Sequence, residues 1–194
     1  EQLTDAPSPP PRLRIHPERE TGVQEQLDSL GVSSPPIVIC PFTTRPQKHW
    51  PQEYWPELIT GLIERFNAPV LMLGGPADRE AAAAIQAQLG PAGARFSNMV
   101  GQTRIADTPA WVASARLVIG VDTGLTHMGA ALGRPTIALF GSTCPYTAGA
   151  RGPLTVLCED LPCAPYRRIP TGAGVHTCLR LLTPLRVMHA AREL

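Results

Sequence analysis

The sequence predicts an α/β protein built on a Rossmann-like, doubly wound parallel sheet. Three observations carry that prediction. From residue 36 onward, short apolar runs alternate with helix-period segments, the pattern of parallel βαβ units. Glycine, proline and aspartate punctuate the ends of those runs. The segments with unusual chemistry, Thr43 to Lys48, Gly74-Gly75, Asp122-Thr123-Gly124 and Gly141-Ser142-Thr143, each follow an apolar run directly. In an open α/β sheet this puts them together outside the carboxyl ends of the strands, where ligands bind.

Taken in order, Ile37-Val38-Ile39-Cys40 reads as a buried strand, followed by a loop to Trp50 and an amphipathic helix from about Glu53 to Phe66. Trp50, Tyr54 and Trp55 are placed to anchor that helix. Val70 to Leu73 is the next strand, closed by Gly74-Gly75-Pro76. An alanine-rich helix follows, with Asp78 near its start and Gly90-Pro91 as its stop. A weak strand near Ser97 to Gly101 and a short helix near Pro109 to Ala115 precede a clear strand, Leu117 to Val121. A small-residue helix from about Thr126 to Leu132 leads through Gly133-Arg134-Pro135 to a strand over Thr136 to Phe140. Leu154 to Leu157 suits an edge strand, and Thr183-Pro184 opens a final helix through His189. Residues 160 to 177, with three prolines, Gly172 and Gly174, read as irregular loop.

Of the 22 prolines, 11 fall in the first 56 residues, with Pro9-Pro10-Pro11 near the start. Residues 1–35 are therefore read as a proline-rich arm or interdomain linker, and 36–194 as one domain that ends in a helix. A chain of 194 residues that is 43% hydrophobic and 17% charged can bury a core. The beginning at Glu1 rather than Met suggests a fragment.

A net charge of +1 leaves no basic surplus to neutralise a phosphate backbone, which argues against nucleic acid as the main partner. No run reaches the ~18 to 20 apolar residues of a membrane span, and no secretory start is visible, so a cytoplasmic location is expected. Five cysteines, an odd number in a chain too large to need disulfide staples, favour reduced thiols.

Among the 17 basic residues, Lys48 is the single lysine. An ammonium is a compact point charge and a guanidinium a planar fork, so a site that needs the former cannot accept the latter. Thr43, Thr44 and Lys48 would suit the oxygens of a pyrophosphate. Thr123 and Gly124 open a helix whose unpaired N–H groups favour an anion, and Gly124 admits close approach. Asp122 would repel a diphosphate; it either accepts hydrogen bonds from sugar hydroxyls or pairs with Lys48. Helix capping and a tight turn account for these residues equally well.

His127 reads first as a packing histidine and second as a support to the site. Gly74, Gly75 and Asp78 resemble a nucleotide-binding turn without the G-x-G-x-x-G spacing, and Asp78 could meet a ribose hydroxyl or simply favour the helix dipole. Cys158, Cys163, His176 and Cys178 are poorly spaced for a zinc tetrahedron and read as buried thiols, so no metal is expected.

Several of these segments resemble glycosyltransferase family 9, the heptosyltransferase family. They are Pro41-Phe42-Thr43-Thr44 with Lys48-His49-Trp50-Pro51, Leu73-Gly74-Gly75, Val121 to His127, Ala130 to Pro135, and Leu139 to Thr143. The likeness covers about residues 36 to 185. It implies the C-terminal, donor-binding half of a two-domain glycosyltransferase-B fold. Such enzymes transfer heptose from ADP-heptose to a lipopolysaccharide inner-core acceptor, with inversion and without an essential metal or other cofactor.

By that analogy Lys48 with Thr43 or Thr44 holds the donor phosphates, Thr123 and Gly124 the sugar-phosphate region, and Asp122 the sugar. The catalytic carboxylate and the site for the lipid-linked acceptor would lie in an N-terminal half that this sequence does not contain. The chain alone would then bind donor and transfer nothing, and the full enzyme would work at the inner membrane surface. The rival reading is a stand-alone, non-catalytic module that binds nucleotide sugars or phosphate.

Overall fold

The computed structural model describes residues 13–141, 143, 150–159, 161 and 177–194. Its strands are β1 (Ile37–Cys40), β2 (Val70–Met72), β3 (Phe96–Asn98), β4 (Leu117–Val121), β5 (Thr136–Leu139) and β6 (Leu154–Leu157). They form one sheet in the order β3-β2-β1-β4-β5-β6. Every neighbouring pair is parallel. This is the doubly wound arrangement, and the winding reverses between β1 and β4, which leaves a crevice at the carboxyl ends of those strands.

The helices are α1 (Pro17–Ser29), α2 (Tyr54–Phe66), α3 (Arg79–Gln86), α4 (Thr108–Ala113), α5 (Gly124–Ala131), α6 (Thr177–Arg180) and α7 (Pro184–Glu193). Strand side chains alternate between two apolar layers. Ile37, Ile39, Val70, Met72, Ile119 and Val121 pack with α2, α3, α6 and α7 on one face. Val38, Cys40, Leu71 and Val118 pack with α1 and α4, and with the flank of α5, on the other. Burial on both faces is why these strands are continuous apolar runs rather than alternating ones.

Part of the stretch read as an arm is helical. Within residues 1–35, Pro17–Ser29 form α1, with proline in its first turn and Glu18 and Glu20 at its amino end. Val23 and Leu27, one turn apart, are buried against the Trp111 cluster. The helix ends in a Schellman motif. Gly31 adopts a φ of +72°, and Val32 N–H reaches back to the Leu27 carbonyl at 2.9 Å. Two buried positions in 13 residues are too sparse a stripe to announce a helix from sequence.

Other differences are of extent. The helix expected from Thr126 begins at Gly124, and the weak third strand spans Phe96–Asn98. Most of the loop expected over 160–177 lies outside the described residues. Trp50 does more than anchor α2, because its indole N–H also donates to the Leu182 carbonyl at 2.7 Å and ties the segment before α7 to the body.

α5 lies unusually close to the sheet. A Cβ added to Gly120 would stand 2.2 Å from Thr126 Oγ1 and 2.7 Å from Cys40 Cβ, and one added to Gly129 would meet Val118 at 3.0 Å. Thr126, buried at this contact, donates its hydroxyl to the Val121 carbonyl at 2.7 Å. These small residues set the height at which the amino end of α5 meets the crevice. Gly120→Ala is expected to cost about 1–3 kcal/mol through overpacking. Urea unfolding measures this, and an unchanged midpoint would contradict the close contact.

Candidate functional site

A cleft of about 880 Å³ lies at the carboxyl ends of β1, β2 and β4. Thr43, Thr44 and Lys48 line it from the loop after β1, Gly74, Gly75 and Asp78 from the turn after β2, and Asp122, Thr123, Gly124 and His127 from the turn into α5. The ten residues nominated for the donor therefore meet in one place, whereas in the fourth segment Gly141 lies against Leu179 and Ser142 is outside the described residues. The cause is topological, since parallel strands deliver every following loop to the same edge.

Asp122 is the hub of the cleft. Its Oδ2 accepts hydrogen bonds from the Lys48 ammonium and from Thr143 Oγ1 at 2.6 Å. Oδ1 faces His127 Nε2 at 3.0 Å. The Lys48 and Asp122 side chains are only 16% and 12% exposed, so the pair is largely withdrawn from water. Burial alone would push the Asp122 pKa up. The hydrogen bonds from His127, Lys48 and Thr143, with the Lys48 charge, outweigh it and hold the carboxyl well below the usual carboxylate range. Of the two roles open to Asp122, pairing with Lys48 is the one present here.

Lys48 is aimed by its own loop. Pro46–Lys48 form a single 3₁₀ turn, and His49 Nε2 donates to the Thr43 carbonyl at 2.7 Å, closing the loop on itself. Thr123, in extended conformation at the start of α5, makes no side-chain cap, which leaves its hydroxyl available. The first N–H groups of α5 have no intrahelical acceptor. A Cβ built on Gly124 would meet nothing within 4 Å, so the space above the helix end is open.

Asp78 commits one carboxylate oxygen to its turn, accepting from the Gly75 N–H at 2.8 Å. Gly74 is required by packing, because a Cβ there would fall 2.7 Å from the Phe42 ring.

Two expectations change. His127 is not a packing histidine: its side chain is 58% exposed and lies in the cleft against Asp122. Its partner lies five residues earlier, across the strand-to-helix turn, a geometry that helix periodicity does not show. Of the four residues weighed for zinc, Cys163 and His176 lie outside the described residues. Cys178 is buried but Cys158 is exposed. Among the described residues no three His, Cys, Asp or Glu side chains are grouped to hold a metal.

Sequence reasoning passed over two site residues. Thr143 belonged to a segment already singled out, and only its contact with Asp122 identifies it. Ile105, 90% exposed, joins Leu125 in the cleft lining, and no motif marked it. A smaller cavity of about 460 Å³ lies elsewhere, beside α1. Its Arg19 and Arg104 share one carboxylate, Asp107.

Comparison with known proteins finds relatives across most of the chain. The family model described as glycosyltransferase family 9 (heptosyltransferase) matches residues 1–174. Lipopolysaccharide heptosyltransferase 1 of Pseudomonas aeruginosa is 39% identical over 143 residues, 73% of this chain and 39% of that protein. Lipopolysaccharide heptosyltransferase 2 of Salmonella typhimurium is 30% identical over 95% of this chain and 53% of its own length. The solved structure of E. coli ADP-heptose lps heptosyltransferase II superposes with a TM-score of 0.75 at 27% identity, covering 94% of this chain and 53% of that one. The chain thus spans between about two fifths and half the length of these relatives.

The Asp122 network fixes a pH dependence. A carboxyl whose folded pKa lies below its unfolded value, ~3.9, contributes stability that is full above that value and is lost as pH falls toward the folded one. Asp122→Asn should lower stability by about 1–3 kcal/mol near pH 7. The gap between wild type and variant should be present at about pH 5 and narrow as pH falls below about 4. Urea titrations at several pH values measure it, and a gap that widens in acid would contradict the assignment.

Proposed function

The chain belongs to glycosyltransferase family 9, and from that premise we propose that it is the C-terminal, donor-binding half of a heptosyltransferase. Its donor is ADP-heptose, and the whole enzyme transfers heptose with inversion to a lipopolysaccharide inner-core acceptor at the cytoplasmic face of the inner membrane. The catalytic base and the acceptor site belong to the other half, so this chain binds donor without transferring it. The heptosyltransferase relatives support the reaction class, as does a structural neighbour, E. coli heptosyltransferase WaaC with ADP-2-deoxy-2-fluoro heptose. Among the described residues no helix is long and apolar enough to cross a membrane.

The observation that carries the proposal is the Lys48–Asp122 pair beside the uncapped end of α5 at the switch point of the sheet. In this reading the donor diphosphate lies over Gly124 and accepts from backbone N–H groups, Thr123, the Thr43 and Thr44 hydroxyls and Lys48. A preorganised cation and dipoles aimed at the departing diphosphate stabilise the charge that develops there as the glycosidic bond breaks. Asp122 steadies Lys48. A carboxylate offers about four acceptor positions, and three are filled, so one remains for a sugar hydroxyl. Asp78 keeps an oxygen for the ribose, and Ile105 with Leu125 offers an apolar shelf to the base.

Calorimetric titration with ADP, UDP and ADP-heptose tests the proposal. Adenine nucleotides should bind in preference to UDP, and Lys48→Ala should weaken them by about 1.5–3 kcal/mol, the range for hydrogen bonds to charged groups. Gly124→Ala, with free space for its methyl group, should keep wild-type stability yet lose affinity. A folded chain that binds none of the three nucleotides overturns the reading.

A further inference from the structure

The charged lining of the cleft is balanced, with Arg45 and Lys48 against Asp78 and Asp122. A diphosphate esterified at both ends adds two negative charges to a site with no positive surplus. Among side chains with ordinary pKa values, only histidine changes charge near neutrality, and the histidine in the cleft lining is His127.

Its hydrogen bonding poses a specific problem. Nε2 is engaged with Asp122 Oδ1 at 3.0 Å, and the ring is steadied edge-on by Phe140 with centroids 6.2 Å apart. A neutral imidazole has one N–H. Serving the carboxylate through Nε2 makes Nδ1 a lone-pair acceptor, which repels a phosphate oxygen. An imidazolium donates from both nitrogens and serves both anions at once.

The charged groups that line the cleft with His127 come from three loops, Asp122 on its own turn, Arg45 and Lys48 after β1, and Asp78 after β2, and of these Asp122 touches the ring. α4, which packs against α5, carries no ionisable side chain. Lys48 already lies on Asp122, so one anion, Asp122, is shared between two potential cations.

We infer that His127 takes up a proton from solvent when the donor diphosphate binds, and stands in the cleft as an imidazolium joined to Asp122 through Nε2 and to the diphosphate through Nδ1–H. This rests on reading the cleft as a nucleotide-sugar site. His127 becomes the second cation of the diphosphate site, and its proton travels with the donor.

The test is calorimetry of the whole chain with ADP-heptose, whose diphosphate has no ionisation near neutrality, in two buffers of different ionisation enthalpy. At about pH 7.5 the wild type should take up a large fraction of one proton per donor bound. Affinity should fall roughly three- to tenfold per pH unit between about 7 and 8.5. His127→Gln, which can still bond to Asp122 but cannot titrate, should show almost no uptake and a flat pH profile.

If that variant does not fold, the ring resonances of His127 in wild-type protein decide the matter, since their titration must move to higher pH when ADP-heptose is added. Donor binding without proton uptake, or equal uptake in wild type and His127→Gln, overturns the inference and leaves the donor site standing. Failure of ADP-heptose to bind the folded wild type overturns both.

Discussion

The Lys48–Asp122 ion pair joins the loop after β1 to the end of β4, the two strands between which the sheet reverses its winding. Taking either charge out of water alone would be costly, and the pair is tolerable because Thr143 and His127 fill further acceptor positions on the carboxylate. Each group is therefore a condition for the others. Without Asp122, Lys48 would have no reason to stay in a part-buried position, and the loop from Thr43 to Lys48 would lose its far anchor. His49 closes that loop from within, and Asp122 fixes where the closed loop sits.

The scaffold makes this arrangement precise by removing side chains rather than adding them. Gly120 and Gly129 let α5 settle on β4 at a separation that no Cβ would allow. Thr126 bonds to the backbone at the end of the same strand. The amino end of α5 is thereby placed beside Asp122, and Gly124 leaves the space above it open. In the turn after β2, Gly74 accommodates the Phe42 ring, so the floor of the cleft is packed while its rim stays polar.

Much of this was legible in the sequence, for a physical reason. A parallel sheet buried on both faces writes itself as apolar runs, and its topology sends every following loop to one edge. The runs at Ile37–Cys40 and Leu117–Val121 could hence be placed before any contact was known. The convergence of Lys48, Gly74, Asp122 and Gly124 followed from their positions alone. What stayed hidden depends on contacts rather than pattern. α1 buries only Val23 and Leu27, too few to stand out from a polar, proline-rich setting. His127 and Thr143 are drawn to Asp122 across turns whose course no periodicity encodes, and Ile105 is defined by exposure, which the sequence does not record.

The balance of charge in the cleft bears on how such a site can discriminate. With Arg45 and Lys48 offset by Asp78 and Asp122, the local field gives little long-range attraction to anions in general, and what attraction exists is screened within about 8 to 10 Å at ordinary ionic strength. Affinity must instead arise at contact, from donors already oriented and a cation already desolvated. A free phosphate would meet only some of those donors. A nucleotide sugar can engage the open end of α5, the remaining position on Asp122 and the apolar shelf at Ile105 together. The carboxylate that weakens attraction for a bare anion thus serves selectivity for a molecule that also brings hydroxyl groups.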